Sequence, residues 1–407
     1  MQRAALSALA LILLPSLAVT QRKADGDGHR RAVRFVYEVE NRGEKALRRI
    51  QLRLVLPARM ERQKQLRLEL RPGVEFVRSS RDASEGGGLG GEWRNLAQPE
   101  IKTDPYGNRV AVFSCDRLAP GHRFVAQWFG DFELKATESR RQENPPTLTA
   151  KERKLYLRDA EVYGISDPKM EGFAQQLRAM QLEGLPQIVA IQNFVMDRMK
   201  YDRDGKWEPA PVCLTRGTGS CSEYTYAVVA LCRALGIPAR WTGGLALRKR
   251  NADTYTDGVF HRWAECWVPE MGWVPVDASR DDGEDRSGKR RPSTIGKVAW
   301  PLLLLARGDG VDALAGFRYH ATGSWSGKGG KSWRRGYWTV SAPRKGHEED
   351  MHPAAAAEHA RFERGEGIHA EDRKPDWSPA VERTNRPLKK AKGAIQATSP
   401  SKGSRLR

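Results

Sequence analysis

The spacing of apolar residues changes period twice along this chain, and that restricts it to a mixed architecture. From about residue 32 to 135, apolar positions recur every second residue. Val33, Phe35, Tyr37 and Val39 form one run, Ile50, Leu52, Leu54 and Leu56 another, Leu66, Leu68 and Leu70 a third, and Phe124, Ala126 and Trp128 a fourth. Short alternating runs between turn signals predict an antiparallel β-sandwich. Asp104-Pro105-Tyr106-Gly107-Asn108 reads as a turn between strands. The run from Gly86 to Gly91 resembles a phosphate-binding loop only in composition, because no helical pattern follows it; it reads as a hairpin loop. Near Pro145-Pro146 the period becomes helical. Asp167 and Pro168 supply a cap and a first-turn proline, and Met170, Phe173, Ala174 and Leu177 share a face. A second helix opens at Pro186, and a third begins at Ser220. After residue 240, strands rich in Trp and Val return, to about residue 340. The fold class expected is α+β.

The two ends differ from this globular middle. Arg3 is followed by an almost wholly apolar run from Ala4 to Val19 that closes on small residues, the pattern of a secretory signal peptide. It is short for a membrane span and holds Pro15. The mature chain is therefore expected to be exported, periplasmic or extracellular, and not an integral membrane protein. From about 344 to 407 no apolar period is sustained, and from Arg386 onward there are basic residues and no acidic ones. Such a segment lacks the apolar surface to offset ordering entropy, so a disordered tail is expected. The formal charge is +19. For an exported protein this favours an anionic cell-surface polymer or lipid headgroups over a specific nucleic acid as partner of the tail. The boundaries expected are residues 1–20 for the signal peptide, 30–140 for the sandwich, 150–340 for a second domain and 345–407 for the tail. The five cysteines form no C-x-x-C pair, and no P-loop motif occurs, which excludes zinc-ribbon, thioredoxin-type and P-loop chemistry.

The residues that carry chemistry lie between 217 and 277. Ser220 and Glu223 have capping-box spacing, and Tyr224, Val228, Leu231 and Leu235 repeat at helical spacing up to Gly236 and Pro238. The helix therefore runs from about 221 to 235 with Cys221 in its first turn, where the positive end of the helix favours a thiolate. Phe260 to Val268 reads as a strand, Pro269 to Gly272 as a turn, and Trp273 to Asp277 as the returning strand. One hairpin can thus hold His261 and Asp277 together, and Cys221, His261 and Asp277 make a nucleophile, proton carrier and orienting carboxylate. The hairpin must then turn through an odd effective loop, such as one with Trp267 opposite Trp273, or carry a bulge in one strand. A direct Val268–Trp273 pair would point Asp277 away from His261.

These residues resemble the transglutaminase-like superfamily, the papain-like group that includes transglutaminases, bacterial thiol proteases and peptide N-glycanases. The likeness rests on Gly-x-Gly-x-Cys at 217–221, Cys-x-Glu-Tyr with the following ALCRALGIPAR at 230–240, His-x-Trp-x-Glu at 261–265, Trp-Val-Pro-Val-Asp at 273–277, and Tyr201 upstream. It implies a papain-like core, in which a helix bearing the cysteine packs on an antiparallel sheet, with Cys221 as nucleophile, His261 as base and Asp277 as third member. Polar Thr225 and Tyr226 depart from the smaller or apolar residues common there. The activity implied is acyl transfer from protein or peptide amide bonds through a Cys thioester, ending in hydrolysis or in amine cross-linking. The Cys221 backbone N–H is expected in the oxyanion hole, with Trp207 or its neighbours as candidates for a second donor. The alternative is a non-catalytic cell-surface binding module on the same scaffold.

Each residue also has a plainer reading. Cys221 can be a buried structural cysteine and Asp277 a turn cap, while Glu265 reads as a hydrogen-bond partner within the core. Asp281, Asp282, Glu284 and Asp285 invite comparison with the calcium used by animal transglutaminases, but they lack EF-hand spacing and read as a solvated loop. No cofactor and no metal is expected. A disulfide is permitted by export among Cys115, Cys213, Cys232 and Cys266, with no sequence basis for choosing a pair; Cys221 and Cys232 are about 16 Å apart along their helix and cannot pair.

Overall fold

The computed structural model describes residues 28–76, 93–203, 207–247, 254–283, 293–327 and 332–341. The expected signal peptide, the glycine run at 86–91 and the tail from 345 lie outside the described residues. In the N-terminal region the strands are β1 (His29–Asn41), β2 (Leu47–Val55), β3 (Gln63–Phe76), β4 (Trp93–Asn95), β5 (Glu100–Thr103), β6 (Arg109–Leu118), β7 (His122–Leu134) and β8 (Thr137–Glu138). The helical middle holds α1 (Ala150–Leu155), α2 (Pro168–Arg178), α3 (Gly184–Arg198), β9 (Lys200–Tyr201), α4 (Ala210–Arg216), β10 (Thr218–Gly219) and α5 (Cys221–Ala234). Then follow β11 (Ala239–Ala246), β12 (Thr254–Asp257), β13 (Phe260–Val268), β14 (Gly272–Val276), α6 (Ala278–Asp281), β15 (Lys297–Val298), β16 (Leu302–Gly308), β17 (Ala321–Ser326) and β18 (Ser332–Ser341).

The alternating runs form strands whose apolar faces are buried: Val33, Phe35, Ile50, Leu52, Leu54, Phe124 and Trp128 have no exposed surface. Leu66 departs from the pattern. The register of β3 against β7 shifts between Gln65 and Arg67, which leaves Leu66 43% exposed. A bulge of this kind puts two consecutive residues against one partner and turns a side chain out of the alternation.

The sandwich is completed by strands that follow the helical middle. One sheet runs β12-β18-β1-β7-β3-β4 and the other β17-β2-β6-β5. Strand β18 pairs with β1 along Ala32–Asn41, and β17 pairs with β2. The sequence boundary at 150 assigned all of these later strands to the second domain, whereas in space β12, β17 and β18 complete the first. Without β18, one edge of the long strand β1 would present unpaired backbone groups. Pairing over some 300 positions leaves no local signature in either strand.

The second unit is the sheet β14-β13-β11-β16 with α5 packed on it. Helix α2 has the predicted cap, with Asp167 Oδ1 accepting from the Lys169 N–H at 2.8 Å. Helix α3 starts at Gly184, two residues before Pro186, which the first turn tolerates because its N–H groups have no partner within the helix. Helices α1 and α4 were not read from the sequence; both are short, at six and seven residues. The two units share one continuous apolar core. Phe35 of β1 meets Phe260 of β13 at 5.9 Å between ring centres, and Phe260 stacks on His320 at 4.0 Å. The Asp104–Asn108 turn docks on the end of β16. Asp104 accepts from the Tyr106 and Asn108 N–H groups, Asn108 Nδ2 donates to the Arg307 carbonyl at 2.8 Å, and the Tyr106 hydroxyl bonds Asp309.

Candidate active site

The nucleophile position is built by the entry into α5. Gly217 ends α4 at φ +80°, and a Cβ there would lie 3.0 Å from the Arg198 carbonyl oxygen, so the turn requires glycine. Thr218 and Gly219 then pair in parallel with Lys200 and Tyr201, which brings Tyr201 beside the start of the helix. Ser220 caps α5: its backbone N–H and hydroxyl both donate to Glu223 Oε2, at 2.8 and 2.7 Å. Glu223 has no exposed surface. Cys221 is the first residue of α5 and is 8% exposed.

The hairpin has the odd loop that the site demands. Ala264 lies opposite Val276, Trp267 opposite Trp273 and Val268 opposite Gly272, with three residues between Val268 and Gly272. The ladder stops at Val276, and Asp277 caps α6. From there Asp277 Oδ2 accepts from His261 Nε2 at 2.7 Å, while Oδ1 accepts from the Arg280 N–H and the Ser279 hydroxyl. Asp277 thus caps α6 through Oδ1 and meets His261 through Oδ2. The His261 ring stacks on Trp263 at 5.8 Å and also hydrogen-bonds the Cys221 sulfur.

These contacts set the protonation states. Burial opposes charge on Cys221, but the His261 hydrogen bond and charge, followed by the Arg262 backbone N–H and guanidinium, outweigh it and hold the thiol below its ordinary range. Burial also opposes the imidazolium, yet the Asp277 charge and hydrogen bond, with Cys221, raise His261 to about 10. Burial raises Asp277, and His261 more than reverses this. Both shifts act in the same sense, toward a thiolate–imidazolium pair held by a carboxylate.

Several neighbours escaped the sequence reading. Arg262 has no exposed surface. Its guanidinium carbon lies 4.6 Å from the Tyr319 ring, 4.8 Å from Tyr226, 5.0 Å from Trp207 and 5.1 Å from Trp241, and Nη2 donates to the Phe317 carbonyl. Polar Tyr226 is thereby a wall of this cage. The Cys221 backbone N–H reaches the Tyr201 phenol, and Tyr201 is 50% exposed. The Trp207 ring lies against the Arg262 and Arg318 guanidiniums. Glu265 pairs with Arg240 Nε and Nη2 at 2.7 Å each, in the structural role expected. Asp281 accepts from Gln192 and Thr294, and Asp282 accepts from the Tyr224 hydroxyl at 2.5 Å. Glu284 and Asp285 lie outside the described residues. Among the described residues, no group of three or more His, Cys, Asp or Glu is placed to hold a metal, and no helix is long and apolar enough to cross a membrane.

The family model described as Transglutaminase-like superfamily matches residues 171–278, from the first turn of α2 to one residue past Asp277. Residues 171–278 are a transglutaminase-like domain. This domain is similar over 70 residues, at 34% identity, to the uncharacterised protein YebA of Bacillus subtilis (strain 168), covering 15% of this chain and 10% of YebA. Over 73 residues it is 36% identical to the protein-glutamine gamma-glutamyltransferase of Pseudomonas aeruginosa, covering 17% of this chain and 11% of that enzyme. The chain therefore spans about a tenth of the length of the curated relatives it matches. Among solved structures, the "Putative Cysteine Protease from Cytophaga hutchinsonii" superposes with a TM-score of 0.50 at 17% identity, covering 79% of this chain and 93% of that one. At that identity the likeness is one of fold. It takes in the β-rich N-terminal part as well as the transglutaminase-like domain.

Proposed function

We propose that this chain is an exported cysteine enzyme that transfers the acyl group of protein or peptide amides through a thioester at Cys221. The observation that carries the reading is the 2.7 Å His261–Asp277 hydrogen bond on an imidazole that also holds the Cys221 thiol at a helix N-terminus. The thiolate attacks the amide carbonyl, and the negative oxygen faces the Cys221 backbone N–H and the adjacent Tyr201 hydroxyl. His261 as imidazolium gives its proton to the departing amine, which leaves a thioester and a neutral imidazole. The same imidazole takes a proton from water or a primary amine as that acceptor attacks. Collapse then releases the acid or the new amide and restores the ion pair. Asp277 holds the imidazole in the orientation and tautomer that face the sulfur.

The charged pair argues against the alternative of a non-catalytic binding module, because a scaffold used only for binding has no need of a depressed thiol. Export is supported by the Arg3 to Thr20 pattern and is tested by the N-terminus of the mature protein. The acid-free basic run from Arg386 suits an anionic cell-surface polymer, tested by salt-sensitive retention on a polyanion with and without that run. Purified protein incubated with glutamine-containing peptides, with and without a primary amine, reads the reaction by mass. Loss of ammonia with gain of water marks hydrolysis, and loss of ammonia with gain of the amine marks transfer. No mass change in any peptide or protein substrate, with Cys221 no more reactive to iodoacetamide than the other thiols, sinks the proposal.

A further inference from the structure

The helix that carries Cys221 and the strand that carries His261 meet at a second pair of reactive atoms. Cys232 Sγ, near the end of α5, lies 3.4 Å from Cys266 Sγ in β13. Both cysteines have no exposed surface. Cys115 and Cys213 instead donate to the Arg117 and Glu208 carbonyls, and Cys221 is engaged with His261. All five cysteines of the chain are among the described residues, so Cys232 and Cys266 are the pair whose sulfurs touch.

We infer that Cys232 and Cys266 form a disulfide cross-link between α5 and β13 in the mature protein. The geometry needs little adjustment, since sulfurs already in van der Waals contact close to the covalent distance of about 2.05 Å by small rotations of the two side chains. The elements are already held: Cys266 is in register with Ala239 of β11 and Val274 of β14, and α5 packs on the same sheet. A bond here joins parts of the chain 34 positions apart and sits roughly three helical turns from Cys221. It ties together the two elements that set the thiol–imidazole distance while staying clear of the reacting atoms.

Timing follows from burial. The neighbouring thiol and burial both push the Cys266 thiol far above its ordinary range, so its sulfur is not a ready thiolate once the core has closed. The bond therefore forms while the chain folds, by exchange with a disulfide donor such as oxidised glutathione. One thiolate attacks the donor disulfide and releases a thiol. The second thiolate then displaces the other half, so two protein thiols lose two protons and two electrons while the donor disulfide becomes two thiols. Cys221 stays out of the cross-link because its sulfur lies about 16 Å along the helix from Cys232. The inference rests on the packing of α5 on β13 and on folding in an oxidising compartment, not on the proposed reaction, so it can fail without touching that proposal.

The test is to denature and reduce the full chain, refold it in a reduced/oxidised glutathione mixture, and count alkylatable thiols by intact mass under denaturing conditions. The expected count is three. Tryptic peptide 217–233, which carries Cys221 and Cys232, should be joined to peptide 263–280, which carries Cys266. Chymotryptic cleavage at Tyr224 or Tyr226 then separates the two candidates, and the link should stay with Cys232. The variant with Cys232→Ala and Cys266→Ser should refold with a melting temperature lower by about 5–10 °C than the oxidised wild type. Reducing the wild type before the scan should erase that difference. A natively refolded chain with five alkylatable thiols, or a link to any other cysteine, overturns the inference.

Discussion

At the scale of single residues, the candidate site is a balance of charges around one sulfur. Three groups hold the Cys221 thiol down against its own burial, and His261 owes its high value to Asp277. Replacing Cys221 with Ala should abolish amide turnover and leave the far-ultraviolet circular dichroism unchanged. The pH profile has a definite sign. Turnover should rise through the depressed thiol value and fall as the imidazolium deprotonates near 10. In Asp277→Asn the imidazolium loses its partner, so the rise in iodoacetamide reactivity should move to higher pH and turnover should drop by about 10²–10⁴-fold. Arg262→Met tests the caged cation. It should also move the alkylation midpoint to higher pH while leaving the alkaline limb set by His261 and Asp277 in place. An unmoved midpoint in Arg262→Met would mean that the guanidinium only fills space. The motifs were legible in sequence because capping and strand alternation are local. Arg262 was not, since what makes it matter is a cage assembled from α5, β11, Trp207 and Tyr319.

At the scale of elements, β11 carries the information that places the cage. Gly243 lies opposite Arg262 and Gly244 opposite His261, and the β11–β16 register shifts between these two glycines. A Cβ on Gly243 would come within 2.4 Å of the Tyr319 ring, which is buried and cannot swing aside. Gly243→Ala should therefore cost about 1–3 kcal/mol, read as a lower urea midpoint, and should loosen the ring from Arg262. On the far side of the same hairpin, Glu265 is held ionised against its burial, mainly by Arg240 and Arg307. Its folded value is depressed, so the stability it contributes is present above its unfolded value and is lost as pH falls through the folded one. Glu265→Gln leaves Arg240 buried without its partner and should cost about 3–5 kcal/mol at neutral pH. It should also flatten the acid side of the stability profile.

At the scale of the whole molecule, the last of the described strands is part of the core. Strand β18 lies between β12 and β1, and Trp338 and Val340 on it are buried in the common core. The segment after 345 has no sustained apolar period. Removing residues from 345 onward should leave the melting temperature almost unchanged, whereas removing residues from 332 onward should abolish the cooperative transition. Equal effects from the two truncations would show that the boundary is misplaced. Strands β1 and β18 pair in one sheet, and Phe35, Phe260 and His320 bridge the N-terminal sandwich and the transglutaminase-like domain, so the two should unfold together.

The sequence by itself determined whatever is written in near neighbours. The period-two runs, the Ser220–Glu223 box with Cys221 one residue past the cap, and the parity that calls for an odd loop or a bulge in the His261–Asp277 hairpin all act over a few positions, where backbone geometry leaves few choices. Tertiary structure decided what depends on partners far along the chain. It alone chose which strands close the sandwich, which oxygen of Asp277 turns to His261 and which to α6, and what surrounds Arg262. It also decided which two of five cysteines meet. Side-chain alternation tells a residue which face it is on, but not what lies across from it; that comes only when hydrophobic burial draws distant segments into one core.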